Sequence, residues 1–137
     1  MKKEIMKQRV LIADDDPDML QQLTWHLNQM GFEVLSAASQ EEAEELLKSV
    51  RPDIALFDLM MENKDSGFIL SYHAKKRYPG LPVVIITAVT AETGMVFSLD
   101  TPGEKSWIKA DRYLQKNIRP EQLEREIRSL LAQPVSV

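Results

Sequence analysis

Two groups of carboxylates stand at the ends of apolar runs. Asp58 closes Pro52-Asp53-Ile54-Ala55-Leu56-Phe57-Asp58, and Asp14-Asp15-Asp16 follows Val10-Leu11-Ile12-Ala13. Continuous apolar runs of this length mark buried parallel strands. Carboxylates just past the ends of two such strands meet at one edge of a sheet. Crowded carboxylates repel, so the group calls for a cation or a proton. A hard cation that takes oxygen ligands fits best, Mg²⁺ first. Two further runs end in reactive types: Thr87 closes Val83-Val84-Ile85-Ile86-Thr87, and Lys116 follows Arg112-Tyr113-Leu114-Gln115. In a parallel sheet all four ends share the carboxyl edge. There the carboxylates can hold Mg²⁺ and one of them can act as a nucleophile, forming an acyl phosphate. The ammonium and the hydroxyl can stabilise charge on a transferred phosphoryl group.

The elements that must position these residues alternate along the chain. Strand patterns occupy 9–13, 33–37, 53–57, 82–87 and 112–115. Pro17 suits a first helical turn, Leu20, Leu23, Leu27 and Met30 follow at helical spacing, and Gly31 ends that helix. Ser39 with Glu42 forms a capping box, opening a helix with Ala43, Leu46, Leu47 and Val50 on its buried face. A third helix spans about Ser66 to Arg77. Pro120 starts a last one, with Leu123, Ile127, Leu130 and Leu131 buried. Five βα units imply an α/β, doubly wound parallel sheet with helices on both faces. The half-polar strands 33–37 and 112–115 suit the edges. That fits the flavodoxin-like order 2-1-3-4-5, with its crevice between strands one and three. Residues 88–111 keep no helical period for long, so the fourth helix region is expected to be irregular. Trp107 lies there among apolar residues that either complete the core under an irregular loop or form the candidate surface for a dimer or partner contact.

The bulk numbers narrow the function classes. The chain has 137 residues and is 44% hydrophobic, enough for one domain with a full core. We expect a single domain over 1–137, with a core over 8–132 and a frayed tail at 133–137. No cysteine is present, which excludes disulfides, thiolate metal sites and cysteine nucleophiles. The net charge of −4 argues against direct nucleic-acid binding. The basic run Lys75-Lys76-Arg77 reads as a helix end complementing its dipole. Neither a signal peptide nor an apolar stretch of spanning length is seen, so no membrane insertion and a cytoplasmic location are expected. His26 and His73 read as ordinary helix residues.

Taken together, four motifs in order resemble the receiver domain of two-component response regulators over about residues 8–132. They are Val10-Leu11-Ile12-Ala13-Asp14-Asp15-Asp16-Pro17, Pro52 through Met61, Val84-Ile85-Ile86-Thr87-Ala88, and Tyr113-Leu114-Gln115-Lys116. The resemblance implies that Asp58 takes a phosphoryl group from a sensor histidine kinase or a histidine phosphotransfer protein. It implies that Asp15, Asp58 and the Met60 carbonyl ligate Mg²⁺ directly and that Asp14 acts mostly through water. Lys116 would pair with Asp58 or its phosphate. Thr87 would turn to the phosphoryl oxygens and Tyr113 would follow by changing rotamer, switching a protein-interaction surface near strands four and five. Such a domain is a signalling unit that supports its own phosphotransfer and dephosphorylation, not an enzyme in the usual sense. If the chain is complete, signalling by docking to another protein or by passing the phosphoryl group on is expected; if it is a fragment, the output region lies beyond residue 132.

Each residue also has a plainer reading. Asp14 and Asp15 could simply open a helix, Thr87 could be a strand residue, Lys116 a surface lysine and Tyr113 a buried edge tyrosine. The chain also departs from the family pattern. Glu62 stands where proline is usual, the loop to Gly67 is one residue longer, and the span from Thr87 to Lys116 is longer too. Asn117 replaces the proline whose preceding bond is typically cis in the family. A cis bond before Asn costs about 2.5–4 kcal/mol, so trans is expected. Met60 and Val89 cannot orient an attacking water, so a slowly hydrolysed phosphoryl-aspartate is expected. Two other acidic patterns fail. A haloacid-dehalogenase-type phosphatase wants Thr or Val where Asp18 stands, and an EF-hand wants Gly and Glu where Met19 and Trp25 stand. The serious alternative is a receiver-like interaction module that is never phosphorylated.

Overall fold

The computed structural model describes residues 7–87 and 110–132. Most of the expected irregular region 88–111, with Val89 and Trp107, lies outside the described residues, as do the N-terminal residues 1–6 and the tail 133–137. The elements run β1 (Arg9–Ala13), α1 (Pro17–Gln29), β2 (Glu33–Ala37), α2 (Gln40–Ser49), β3 (Ile54–Asp58), α3 (Ser66–Arg77), β4 (Val83–Thr87), β5 (Arg112–Gln115) and α4 (Pro120–Ala132). The five strands form one parallel sheet in the order β2-β1-β3-β4-β5. The half-polar strands occupy its edges, as their patterns predict. Among the described residues no helix is long and apolar enough to cross a membrane.

Alternation along each strand divides the core between two faces. Val10, Ile12, Ile54, Leu56, Val84 and Ile86 pack under α1 and α4, against Leu23, Leu27, Leu123 and Ile127. Leu11, Ala13, Ala55, Phe57 and Val83 pack under α2 and α3, against Ala43, Leu47, Leu70 and Ala74. Both faces of the three central strands are covered, which explains why their sequences are continuously apolar.

Local chemistry fixes the ends of the elements. The Asp16 side chain caps α1 by accepting from the Asp18 amide at 3.0 Å, and Pro17 opens the helix. Gly31, at φ +94°, ends α1: its amide donates to Asn28 and that of Phe32 to Leu27. A residue with a Cβ is strained at that φ. Ser39 Oγ accepts from the Glu42 amide at 3.1 Å. The Glu42 carboxylate accepts from the Ala38 amide, one residue earlier than a capping box would place it.

Strand three is shifted by one residue from its expected bounds. Asp53 stays outside it, and its carboxylate accepts from the Arg9 amide at 2.7 Å while its own amide donates to the Arg9 carbonyl at 2.8 Å. Asp111 does the same at the start of β5, exchanging bonds with Val83 at 2.8 and 2.7 Å and pairing with Lys75 at 2.8 Å. Lys75, in the basic run at the end of α3, thus has a specific partner. Two aspartates pin the amino edge of the sheet; Asp58 is left to the carboxyl edge. Strand four begins at Val83, because Pro82 has no amide for the ladder; its carbonyl still accepts from Ala55.

Candidate functional site

Parallel register brings the strand ends together. Ala13 lies opposite Phe57, so the next residues, Asp14 and Asp58, are neighbours on the carboxyl edge. Asp58 lies opposite Ile86, which places Thr87 one step further along, and Thr87 lies opposite Gln115, just before Lys116. The Lys116 amide donates to the Thr87 carbonyl at 3.0 Å, so the ladder carries the lysine to the edge of the site.

Carboxylate oxygens of Asp14, Asp15 and Asp58 all lie within 4.8 Å of one another. Asp14 and Asp58 are buried, at 2% and 5% exposure, whereas Asp15 faces solvent. The Lys116 ammonium bridges the two buried groups, 3.2 Å from Asp14 Oδ2 and 3.4 Å from Asp58 Oδ1. Asp14 Oδ1 also accepts from the Asp16 amide at 2.9 Å, which fixes the turn into α1.

One cation among three carboxylates leaves the cluster short of positive charge. Burial, reinforced by the Asp14 charge, pushes the Asp58 carboxyl up to about 6 against the opposing pull of Lys116, and Asp15 adds to the rise. Burial works against the Lys116 charge, but Asp58 and Asp14 outweigh it and raise its pKa. Oxygen donors this close, with one negative charge held at a cost, form the donor set of a hard divalent cation. The residues present fit Mg²⁺.

Thr87 is buried, at 6% exposure. Tyr113 is half-buried on β5 beside Leu59, Phe68 and Ile85, and its ring meets that of Phe68 edge-on at 6.3 Å. Burial pushes its phenol up to about 12. Met60 exposes its side chain, at 41%. Among the described residues no peptide bond is cis, so Lys116–Asn117 is trans, as its sequence predicts.

Two contributors to the site were not evident in the sequence, and one helix residue outside it has an unforeseen partner. Gly67 opens α3 against the strand that carries Asp58: an added Cβ would lie 2.6 Å from the Asp58 carbonyl oxygen and 2.7 Å from Leu59 Cα. Its amide donates to the Leu59 carbonyl at 2.7 Å. A glycine in the first turn of a helix was the available signal, since it costs helix stability unless a close approach requires it. Glu62 reaches across to the start of α2, where its oxygens lie 2.9 and 3.1 Å from the Gln40 amide. Burial acts to raise its pKa, yet the amides of Gln40, Glu62 itself and Glu41 together lower it. His73, read as an ordinary helix residue, meets Glu44 at 2.6 Å and joins α3 to α2.

Comparison with known proteins places these features in a family. The response regulator receiver domain family matches residues 10–128. The DNA-binding response regulator MtrA of Mycolicibacterium smegmatis is 30% identical over 128 residues, covering 93% of this chain and 52% of that protein. The probable transcriptional regulator ycf27 of Porphyridium aerugineum is 30% identical over 127 residues, covering 93% of this chain and 49% of that protein. This chain therefore spans about half the length of both relatives. Among solved structures, a CheY-like response regulator receiver domain protein from Methanospirillum hungatei superposes with a TM-score of 0.77 at 28% identity, covering 92% of this chain and 94% of that one.

Proposed function

This chain belongs to the response regulator receiver family of two-component systems, and we propose that Asp58 is its phosphoacceptor. The observation that carries this reading is the Asp14, Asp15 and Asp58 cluster with Lys116 bridging its two buried members. A carboxylate destabilised by its neighbours, yet still mostly ionised at neutral pH, is a competent nucleophile. An Asp58 oxygen attacks the phosphorus of a phosphohistidine on a sensor histidine kinase or a histidine phosphotransfer protein. The new O–P bond forms as the P–N bond breaks, and the imidazole nitrogen keeps the electron pair.

Asp15, Asp58 and the Met60 carbonyl would hold Mg²⁺ directly, and Asp14 mostly through water. When bound, Mg²⁺ neutralises charge on the phosphoryl oxygens. Lys116 transfers its pairing from the Asp58 carboxylate to the phosphoryl group. The Thr87 hydroxyl donates to a phosphoryl oxygen. Tyr113 then changes rotamer, and the surface around β4 and β5 switches its affinity for a downstream protein. Met60 offers no group to orient water, so the acyl phosphate is long-lived. Residues 8–132 act as one cytoplasmic receiver domain without direct contact to nucleic acid.

The test uses phosphoramidate, a small donor with the same P–N bond. Phosphorus NMR in Mg²⁺ buffer should show an acyl phosphate resonance that Asp58→Asn abolishes. No such resonance in the parent protein would favour a receiver-like module that works unphosphorylated.

A further inference from the structure

Glu62 sits four residues past Asp58, in the segment joining β3 to α3, where Leu59 and Met61 pack on the core and Glu62 makes a polar contact outside the segment. Both of its oxygens lie within hydrogen-bond reach of the Gln40 amide, the first of α2, at 2.9 and 3.1 Å. The other polar contacts of residues 60–65 are local. The Met61 amide donates to the Asn63 carbonyl, the Asn63 amide to Ser66 Oγ, and the Ser66 amide to the Asn63 carbonyl. Among the described residues, the Glu62 contact is therefore the polar link from residues 60–65 to α2, while at the segment's start the Leu59 amide donates to the Ile86 carbonyl of β4 at 3.0 Å. The helix it reaches already has a cap, because Ser39 Oγ accepts from the Glu42 amide. Glu62 accepts from a different orphan amide, so the contact ties the segment to the helix as well as completing the helix end.

Polar contacts hold the segment near its start and in its middle, and the Met61 side chain packs on the core. Near its start, the Leu59 carbonyl is held by the Gly67 amide at 2.7 Å. In its middle, Glu62 is held by α2. Met60 lies between these two polar contacts. Freed from α2, the backbone around Met60 has more conformations to lose when its carbonyl takes up a fixed direction.

We infer that Glu62 is a positioning residue: its contact with the α2 N-terminus holds the Asp58–Gly67 segment so that the Met60 carbonyl is placed for a divalent cation. The inference rests on the reading of the aspartate cluster as a Mg²⁺ site.

Calorimetric Mg²⁺ titration of the full chain tests it, with unfolding midpoints recorded in chelator. The set is the parent, Glu62→Ala, Glu62→Gln and Ser39→Ala. Groups that orient metal ligands directly change affinity by roughly 10–100-fold, and Glu62 acts one step further out, so Glu62→Ala should weaken Mg²⁺ binding about fivefold. Glu62→Gln keeps an acceptor at the same reach and should recover most of that loss. Ser39→Ala removes the other α2 cap and should lower the midpoint without weakening Mg²⁺. Parent-like affinity in Glu62→Ala overturns the inference alone. So does equal weakening in Ser39→Ala, which would make helix stability the cause, or in Glu62→Gln, which would make charge the cause. A parent that binds no Mg²⁺ overturns the reading of the aspartate cluster, and the inference with it.

Discussion

Neutralising Asp58 should stabilise the metal-free fold. Asp58→Asn keeps the side chain's volume and removes the charge that its surroundings disfavour. The carboxyl is pushed from its ordinary 3.8 to about 6, chiefly by burial and by Asp14. At about 1.4 kcal/mol for each tenfold change in proton affinity, that displacement corresponds to about 3 kcal/mol. The sign follows from linkage. A folded-state pKa above the unfolded one gives a contribution fully present below about 3.8 and lost as pH rises through about 6. The parent should therefore lose stability across this window relative to Asp58→Asn. Urea unfolding in chelator at pH 8 should show the variant more stable by about 3 kcal/mol, falling to about half of that at pH 5. Saturating Mg²⁺ should narrow the gap, because the cation offsets the same repulsion. A variant no more stable than the parent at pH 8, or a gap equal at both pH values, would refute the electrostatic account of the cluster.

Other substitutions probe the supports of the site. Lys116→Met removes the group that lowers the Asp58 pKa, so carbon-detected NMR titration should place that carboxyl above about 6; an unchanged value would contradict the bridging role. Gly67→Ala sets a methyl group against the backbone of Asp58 and Leu59. It should cost about 1–3 kcal/mol in urea unfolding, and a neutral outcome would contradict the close approach. Arg128 donates to the Met30 carbonyl at 2.8 Å and lies 5.0 Å over the Phe32 ring, tying α4 to the turn after α1. Arg128→Ala should lower stability by about 1 kcal/mol and leave phosphoryl acceptance unchanged.

Much of the fold was legible because burial writes itself into composition. Strands covered on both faces are continuously apolar, and half-covered edge strands are not, so the polarity of 33–37 and 112–115 placed those two at the sheet edges. The convergence of Asp14, Asp58, Thr87 and Lys116 followed from parallel topology alone. What the sequence left open depends on contacts without a period. The run 54–57 has an aspartate on each side, and composition does not say which one the strand includes. The structure gives Asp53 to Arg9 and keeps Asp58 as the last residue of β3. Helix α3 buries Ser66, Gly67 and Ser71 along with Phe68 and Leu70, so its face is not a simple apolar stripe. Ser71 Oγ donates to the Gly67 carbonyl at 2.9 Å, satisfying a buried hydroxyl inside the helix itself. The reach of Glu62 to α2 joins a loop to a helix start and carries no sequence pattern at all.

The central claim is that Asp58 accepts phosphoryl groups with the help of a divalent cation. Intact-mass spectrometry after incubation with acetyl phosphate, with and without Mg²⁺, tests it most directly. The parent should gain a single phosphoryl mass only when Mg²⁺ is present, and Asp58→Asn should gain none. A parent that stays unmodified in Mg²⁺, or an adduct that persists in Asp58→Asn, would contradict the account.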